Sequence, residues 1–479
     1  MSNSTLPLVV DLDGTLIKTN LLYEATSWFV TRHPLRIASL VRWMLGGRGV
    51  LNARLAEACV IEAAVLPYND VLVAWLFEQK KKGRCLVLAA GSHRQLAESV
   101  AQHLACFDEV LTTEREIDLT SHCRRDLLIS RFGEKGFDYV GSSASDLVVW
   151  QAANHAHVVS SSQRLISKVR SLGNIAEVFD IGSPPYLSSM CKALRPYQWS
   201  KNILVFVPLC AGHRYGDEAN IVQTLLAFIV FCFTASSSYL LNDLADVADD
   251  RHHSRKRYRP FAAGHLSLLH GWLIWPSLLF LAFAIAILLM SPAFVGCLAT
   301  YFVLTTAYSL RLKQSAAIDV LALAGLYTLR IVAGAAATDI PLSFWLMNFS
   351  MFIFLSLALM KRFSELKAIR LGSADRIRGR GYGYNDANIV SGLGTASGYI
   401  AVLVLALYVQ DIHSAELYRS PKFIWYMCPL LLFWISRAWL IAHRGEMHDD
   451  PVIFALKDRV TWWIGACVVV VFGLATYIA

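Results

Sequence analysis

The second half of this chain is a series of long apolar segments, and no other feature of the sequence restricts the fold as strongly. Most of the segments approach the roughly 20 residues that an α-helix needs to cross a hydrocarbon core of about 30 Å. With 55% hydrophobic and only 17% charged residues, the 479-residue chain is too apolar for a soluble protein of its size. We count nine segments, centred near residues 205, 230, 280, 302, 328, 350, 399, 432 and 469. The sequence therefore predicts an all-α bundle of nine transmembrane helices.

The first 182 residues follow a different pattern, which is typical of a soluble α/β domain. Two short apolar strands, LPLVVDLDG and CLVLAAGS, alternate with amphipathic helical stretches, and a third strand, FDYVGSS, follows them. The Ser-Pro-Pro signal in IGSPPYLS then marks a boundary. We predict a soluble domain over 1–182, a linker over 183–190 and a membrane domain over 191–479.

The basic residues of the loops predict the orientation in the membrane. With nine spans, the loops after the even-numbered spans lie on the side of the N-terminal domain, and these loops carry most of the cations between Arg251 and Arg459. The opposite loops offer little beyond Arg214, Arg419 and Lys422. Because positively charged loops stay in the cytoplasm, and because no signal peptide is visible, we expect a multi-pass protein of the inner (cytoplasmic) membrane with its N-terminal domain in the cytoplasm.

The net charge and the cysteines narrow the class of partner. The formal charge of +8, from 44 basic and 36 acidic residues, suits anionic headgroups or anionic substrates. The sequence shows no motif of interleaved basic and aromatic residues, so it does not predict nucleic-acid binding. The ten cysteines are scattered singly, which argues against a disulfide framework or a zinc site and for a reducing compartment. Whether the chain forms a homo-oligomer is left open by the sequence.

An acidic stripe at a predicted membrane boundary is the main candidate for a chemical site. In NDLADVADDRHHSRKRYRPFAAG, which begins at Asn242, the carboxylates of Asp243, Asp246 and Asp250 have offsets that a helix places on one face. Crowded carboxylates need a compensating cation, and Mg²⁺ with substrate phosphates is one that such oxygens hold. Five cations follow the stripe: Arg251, Arg255, Lys256, Arg257 and Arg259. The alternative interpretation is a solvated helix end of mixed charge.

Further residues with phosphate chemistry fall on the same predicted side of the membrane. Arg330 lies inside a predicted span, where a charge is expensive and usually faces a cavity or a partner. Its alternative role is structural, as a snorkelling or paired side chain, and helix-end cations often only anchor a membrane protein. The other members of this set are Lys201, Tyr308, Lys313, Asp319, Lys361, Arg362 and Glu365.

Four segments of the second half resemble the UbiA superfamily of intramembrane transferases: RPYQWSKNILVFVPL, the acidic segment above, YSLRLKQSAAIDV and ALMKRFSEL. The likeness covers roughly 190–479 and is greatest for the polyprenyl-phosphate phosphoribosyltransferase branch. The resemblance implies that Asn242, Asp243, Asp246 and Asp250 form a Mg²⁺ site for a diphosphate at the cytoplasmic mouth of the bundle. It also implies that Lys313 and Asp319 face that site.

Two donors are compatible with this resemblance. UbiA enzymes that move a prenyl group from prenyl diphosphate to an aromatic acceptor usually carry a second DxxxD motif, whereas here the corresponding loop has only Asp319 among Arg311, Lys313 and Arg330. That change from acid to base fits phosphoribosyl diphosphate, which carries an additional 5-phosphate, with a polyprenyl phosphate as acceptor. We expect the cations at 255–259, with Lys313 and Arg330, to bind the phosphates. A non-enzymatic lipid-binding or transport scaffold is the third interpretation.

The N-terminal motif VVDLDGTL resembles motif I of the haloacid dehalogenase superfamily. That resemblance implies a Rossmann-like domain with a helical cap over about 21–82. It also implies that Asp11 is a nucleophile for phosphoryl groups, that Asp13 is a general acid/base and that both hold Mg²⁺ together with Asp146.

Several positions of this N-terminal domain depart from the superfamily pattern. Ala90 stands where a phosphate-binding Ser or Thr is expected, with Ser92 nearby, and Arg124 or Arg125 replaces the usual Lys. Ser142 replaces an acid. The domain is therefore either a phosphatase that removes the 5-phosphate of the lipid product or a domain that binds phosphate without hydrolysing it.

Overall fold

The computed structural model describes residues 6–113, 121–180, 182, 184–369, 381–411, 417–447 and 450–478. The chain forms two compact units. The first comprises Met1–Leu194 together with Tyr239–Pro276, and the second comprises Arg195–Ser238 together with Ser277–Ala479. The sequence predicted one contiguous division near 183–190, whereas the structure groups the acidic segment with the N-terminal residues.

A six-stranded parallel sheet forms the centre of the first unit, which confirms the predicted α/β class. Its order is β3-β2-β1-β4-β5-β6. The predicted strands correspond to β1, β2 and β4, and the sequence pattern missed the other three. The strands are β1 (Leu8–Asp11), β2 (Leu86–His93), β3 (Glu109–Thr113), β4 (Asp138–Gly141), β5 (Ala156–Val159) and β6 (Ile175–Phe179).

Strand β1 lies in the middle of the sheet because it is apolar on both faces. All four of its residues are buried, and Val9 pairs with Val87 of β2 on one side and with Tyr139 of β4 on the other. Parallel strands with both faces covered have such continuous apolar runs. The strand order changes direction between β1 and β4, and the carboxyl ends of strands at such a point form a crevice. Gly14, with φ of 76°, makes the tight turn that follows β1 there.

Nine helices accompany the sheet in the N-terminal part of the first unit. Four of them lie between β1 and β2, in the region predicted to form a helical cap. The nine are α1 (Leu21–Arg32), α2 (Ile37–Leu45), α3 (Arg48–Ala58), α4 (Asp70–Lys81), α5 (Arg94–Leu104), α6 (Ser121–Phe132), α7 (Leu147–Ala152), α8 (Gln163–Arg170) and α9 (Tyr186–Leu194).

The regular elements in the rest of the described ranges are helices. These are α10 (Val207–Ala211), α11 (Glu218–Ala245), α12 (Val247–His252), α13 (Leu268–Leu289), α14 (Pro292–Leu310), α15 (Ile318–Thr338), α16 (Phe344–Ile369), α17 (Ala387–Tyr408), α18 (Met427–Arg444), α19 (Pro451–Lys457) and α20 (Arg459–Tyr477). Within the described ranges, eight helices are long and apolar enough to cross a membrane: α11, α13 to α17, α18 with the 3₁₀ turn before it, and α20.

The first of the nine predicted spans has a different structure from the others. Around residue 205 the chain forms a 3₁₀ segment, Pro196–Phe206, followed by the five-residue helix α10. Prolines at the start of both elements fit this break, because Pro has no N–H to donate within a longer helix. This segment packs closely on α15, since a Cβ on Gly334 would lie 2.1 Å from the Val205 carbonyl oxygen.

Gly334→Ala should therefore destabilise the second unit by about 1–3 kcal/mol, as overpacking does. Gly325→Ala on the same helix is the matched control, because its new Cβ would come no closer than 4.0 Å to Leu304. Alanine favours a helix interior over glycine by about 0.5–1 kcal/mol, so the control should be neutral or stabilising. Thermal unfolding of both purified variants in detergent measures the difference. Equal unfolding midpoints would refute the close packing of Gly334 on Val205.

Candidate active site

Two buried carboxylates of the acidic segment meet on one arginine. Helix α11 ends at Ala245 and α12 begins at Val247, but helical hydrogen bonds continue across the junction: the Asp246 N–H donates to the Asn242 carbonyl at 2.9 Å, and the Asp250 N–H to the Asp246 carbonyl at 2.7 Å. This continuity keeps Asp243 and Asp250 on one face, as their spacing predicted.

The two carboxylates are almost inaccessible to solvent. Asp243 and Asp250 are each 2% exposed, and Nη1 of Arg259 lies 3.1 Å from the first carboxylate and 2.7 Å from the second. Burial raises the pKa of Asp250 to about 6, although the neighbouring Arg259 opposes that rise. The Lys256 ammonium is 4.0 Å from Asp250. Like charges this close and this buried require a cation.

The carboxylate pair has the donor chemistry that a divalent cation needs. Arg259 belongs to a loop and remains 25% exposed at its side chain, so it can withdraw from the carboxylates without unfolding a helix. In the part of the chain that the structure describes, no group of three or more His, Cys, Asp or Glu side chains could hold a metal ion. An ion on Asp243 and Asp250 would therefore take its remaining ligands from substrate phosphates, as Mg²⁺ commonly does. Asp246, at the junction, is half-buried.

The cations that follow the acidic pair are open to solvent. Arg255, Lys256 and Arg257 are all exposed, and Arg257 stacks on the ring of Tyr258 at 4.9 Å. Because an exposed guanidinium or ammonium keeps its donors available to water, it can exchange that water for phosphate oxygens. One short segment therefore combines buried carboxylates with solvent-accessible cationic side chains.

In the second unit, Asp319 and Arg362 form a fully buried ion pair. Both side chains are inaccessible to solvent; Nη2 of Arg362 lies 3.0 Å from the Asp319 carboxylate, and its Nε donates to the same group. Tyr308 donates to Asp319 at 2.9 Å, and Arg362 also contacts Glu365 at 2.5 Å. These four predicted site residues are thus brought together, and their polar atoms contact one another. Lys313 is half-buried in the 3₁₀ turn Leu312–Gln314.

Arg330 is buried among neutral partners. Its guanidinium donates to Asn202 at 2.9 Å and to the hydroxyl of Tyr301 at 2.9 Å, and it lies over the rings of Tyr301 and Tyr327. The side chain is only 5% exposed. These contacts satisfy most of its donors and favour the structural alternative for this residue over a phosphate clamp.

Asp450 joins two of the predicted substrate-binding lysines and was missed at the sequence level. Its carboxylate accepts from Lys201 at 3.1 Å and from Lys361 at 2.8 Å. Burial alone would raise the pKa of Asp450, but Lys361 and Lys201 outweigh that effect and hold the pKa well below its usual range. Asp450 precedes Pro451 and caps α19, a local signal that indicates a helix start and says nothing of distant lysines.

The N-terminal acids lie at the carboxyl end of β1. Asp11 is 5% exposed, and it accepts from Thr15 at 2.9 Å and from Arg124 at 2.6 Å. Burial raises the pKa of Asp11 to about 7, although Arg124 opposes the rise. The structure thus places Arg124 at the acid, whereas Arg125 pairs with Asp126.

The surroundings of Arg124 do not fit a metal ion shared by Asp11 and Asp146. Nη1 of Arg124 lies 3.8 Å from Asp146 and also donates to the hydroxyl of Tyr139 at 2.8 Å. Together with its bond to Asp11, this atom therefore has three partners. One oxygen of Asp146 already accepts from the N–H groups of Ser142 and Ser143 at 3.1 and 2.9 Å.

The remaining predicted residues of this unit lie nearby in the fold. Asp13 follows β1, and one of its oxygens accepts the N–H of Leu21 at 2.8 Å. Ala90 is buried within β2. Ser92, which is 2% exposed, has no hydrogen-bond partner for its hydroxyl among the residues that the structure describes.

The family model of the UbiA prenyltransferase family matches residues 203–465, and the chain belongs to that family. With eight long apolar helices in its described ranges, it is a multi-pass membrane transferase. An uncharacterized protein of Sinorhizobium fredii is 35% identical over 472 residues, which is 98% of this chain and 91% of that protein.

Two other relatives match a smaller share of the chain. The nodulation protein NoeC of Azorhizobium caulinodans is 38% identical over 60% of this chain and 90% of its own length. A decaprenyl-phosphate phosphoribosyltransferase of Mycolicibacterium smegmatis is 32% identical over 59% of this chain and 93% of its own length. Among solved structures, a UbiA homolog from Archaeoglobus fulgidus bound to GPP and Mg²⁺ aligns with a TM-score of 0.46 and 17% identity, over 60% of this chain and 98% of that one.

The buried pair of the second unit yields a stability prediction. Asp319→Leu should cost about 3–5 kcal/mol, because it leaves the buried Arg362 with only the partly exposed Glu365 as a carboxylate partner, whereas Asp319→Leu with Arg362→Met should recover most of that loss. Thermal unfolding in detergent measures both. If the double variant is no more stable than the single one, the ion pair is not what holds these helices. A double variant that is folded but inactive would assign the pair to substrate binding.

Proposed function

We propose that this protein transfers the 5-phosphoribosyl group of phosphoribosyl diphosphate to a polyprenyl phosphate, and that Mg²⁺ is required. The observation that carries the proposal is the convergence of the buried carboxylates of Asp243 and Asp250 on one cationic group, with exposed cations directly after them. Such a segment suits a diphosphate bound through a metal ion and a further phosphate bound by side chains.

The choice of donor depends on the number of phosphates. A prenyl diphosphate needs only the metal-bound diphosphate, whereas phosphoribosyl diphosphate also carries a 5-phosphate. The exposed Arg255, Lys256 and Arg257 provide donors for that additional group. The relative named decaprenyl-phosphate phosphoribosyltransferase supports the same donor. Prenyl transfer to an aromatic acceptor is the alternative, and the family name supports it.

The proposed reaction is a displacement at C1 of the ribose. An oxygen of the polyprenyl phosphate forms the new bond to C1, the C1–O bond to diphosphate breaks, and diphosphate leaves with that electron pair. The acceptor is already an anion, so the reaction requires no strong general base. The product is polyprenyl-phospho-5-phosphoribose.

Residues of the acidic segment would stabilise the departing diphosphate. Mg²⁺ would supply charge neutralisation on the leaving oxygens. Asp243 and Asp250 would hold it, while Arg259 would turn from the carboxylates toward the phosphates. Asp246, which the sequence also predicted as a metal ligand, completes no group of three acids among the described residues. Loop charges support an inner-membrane location with the N-terminal unit in the cytoplasm, where phosphoribosyl diphosphate is available.

The aspartate variants test this proposal. Asp243→Asn should lower transfer from labelled phosphoribosyl diphosphate to polyprenyl phosphate by about 100-fold or more, because it removes one of two acids that orient the leaving group. Asp249→Asn is the matched control, since Asp249 is an exposed acid of the same acidic segment, and this variant should retain nearly full activity. Chelation with EDTA should abolish transfer, and added Mg²⁺ should restore it. Transfer only from a prenyl diphosphate to an aromatic acid would refute the proposal.

We also propose that the N-terminal unit removes the 5-phosphate of the lipid product. The specific observation is the buried Asp11 beside Thr15, Arg124 and the Asp13 turn. A carboxylate oxygen of Asp11 would attack phosphorus, the bond to the ribose 5-oxygen would break, and Asp13 would supply the proton for that oxygen. Water would then hydrolyse the aspartyl phosphate and release inorganic phosphate. Haloacid dehalogenase-like chemistry remains a prediction of motif I.

Asp11→Asn should separate the two activities. The variant should still consume phosphoribosyl diphosphate but should accumulate the 5-phosphorylated lipid, whereas wild-type protein should yield polyprenyl-phospho-ribose. Asp126→Asn is the control, because Asp126 is an exposed acid of the same unit that pairs with Arg125. Mass spectrometry of the extracted lipids distinguishes the products. Equal accumulation of the 5-phosphorylated lipid by wild-type protein would rule out the phosphatase role.

A further inference from the structure

A buried ion pair in the first unit connects the acidic segment to the N-terminal helix α1. Nη1 and Nη2 of Arg251 lie 3.1 and 2.6 Å from the two carboxylate oxygens of Glu24. The side chains of Arg251 and Glu24 are only 6% and 8% exposed. A bidentate contact between a guanidinium and a carboxylate fixes the orientation of both groups. The partners are 227 residues apart in sequence.

Arg251 also contacts the loop that follows the acidic residues. It directly follows Asp250, and its Nε donates to the carbonyl oxygen of Ala262 at 3.0 Å. Arg251 therefore ties the end of α12 to the far end of the loop that carries Arg259. The position of Arg259 relative to Asp243 and Asp250 depends on where that loop lies.

Contacts on both sides of Glu24 fix the position of helix α1. Its first N–H, from Leu21, donates to Asp13, and the Asn20 side chain caps the helix. One turn beyond Glu24, the hydroxyl of Ser27 accepts from the indole of Trp272 at 3.1 Å. The helix that carries Glu24 is thus held by the turn after β1 and by a residue of α13.

We propose that Glu24 is a positioning residue for the acidic segment: through Arg251 it holds Asp250 and the Arg259 loop in the geometry that receives the metal–diphosphate group. The inference rests on the proposed function for the identity of that group. Residue 24 lies outside the stretch 203–465 that the family model matches. The N-terminal residues of the first unit then contribute to the transferase site in addition to any activity of their own.

Mn²⁺ binding and hydrogen exchange test the proposal without an assay of turnover. In purified full-length protein, Glu24→Gln should weaken Mn²⁺ binding, measured by electron paramagnetic resonance of the free ion, by about tenfold, as loss of a residue that orients metal ligands does. The same variant should speed amide exchange across 247–264. Glu62→Gln is the matched control: Glu62 contacts the adjacent His252 at 3.1 Å but is exposed, and its loss should change neither quantity.

A double-mutant cycle tests whether Glu24 acts through Arg251. Arg251→Gln and the combination of Glu24→Gln with Arg251→Gln should show the same Mn²⁺ affinity, because the second substitution removes nothing further. Additive losses would overturn the proposal. If Glu24→Gln does not accumulate as folded protein, Glu24→Asp keeps the charge and should give a smaller loss of affinity with the same cycle.

The outcomes separate this inference from the proposed function. If Asp243→Asn abolishes Mn²⁺ binding and Glu24→Gln weakens it, but wild-type protein transfers no phosphoribosyl group, the proposed function fails and the positioning role stands. If wild-type protein transfers the group and Glu24→Gln matches it in Mn²⁺ affinity, KM for the donor and amide exchange, the positioning role is refuted and the function stands. A lower kcat with unchanged KM and Mn²⁺ affinity would also refute it, since a merely structural defect lowers only the active fraction.

Discussion

The pairing of buried carboxylates with arginines organises this protein more than any other constraint. Removing a carboxylate or a guanidinium from water costs several kcal/mol unless an opposite charge and hydrogen bonds compensate it. Asp243 and Asp250 satisfy that requirement with Arg259, Asp319 with Arg362, and Asp11 with Arg124. In each case an arginine supplies the compensating charge, so these three groups are charge-balanced in the resting structure. A metal ion that binds Asp243 and Asp250 would have to exchange with Arg259.

That exchange is easier for some of these pairs than for others. Arg259 lies on a loop, is partly exposed and is followed by no helix until α13, so it can leave the acidic pair. Arg362 is completely buried and contacts Asp319, Glu365 and Tyr308. The same chemical pairing thus gives an adaptable site in the first unit and a fixed structural network in the second. This difference is why we assign the proposed metal–diphosphate chemistry to the acidic segment rather than to Asp319.

The sequence predicted what depends on local periodicity. Residues seven apart lie on one helical face, so Asp243 and Asp250 were expected together, and the apolar length of the segments predicted eight of the described helices. Strands β3 and β6 were missed because they form the two edges of the sheet, and β6 is mostly exposed, so neither has a continuous buried apolar run. The 3₁₀ segment near residue 205 was missed because apolar length alone does not reveal how Pro196 and Pro208 interrupt helical hydrogen bonding.

Contacts between distant residues had no signal in the sequence. Lys201 and Asp450 are 249 positions apart, and Glu24 and Arg251 are 227 apart, so neither pairing leaves a repeating pattern. By sequence alone, Glu24 is an acid in the first turn of α1, a position where the helix dipole favours a negative charge. Its pairing with Arg251 becomes apparent only in the folded structure. The contact of Asp13 with the N–H of Leu21 and the contact of Glu24 with Arg251 both involve the first turn of α1. Under the proposed functions, a phosphoryl group bound at the turn after β1 and a diphosphate bound by the acidic segment would therefore both bear on that turn, and a displacement of it would reach the acidic segment through Arg251.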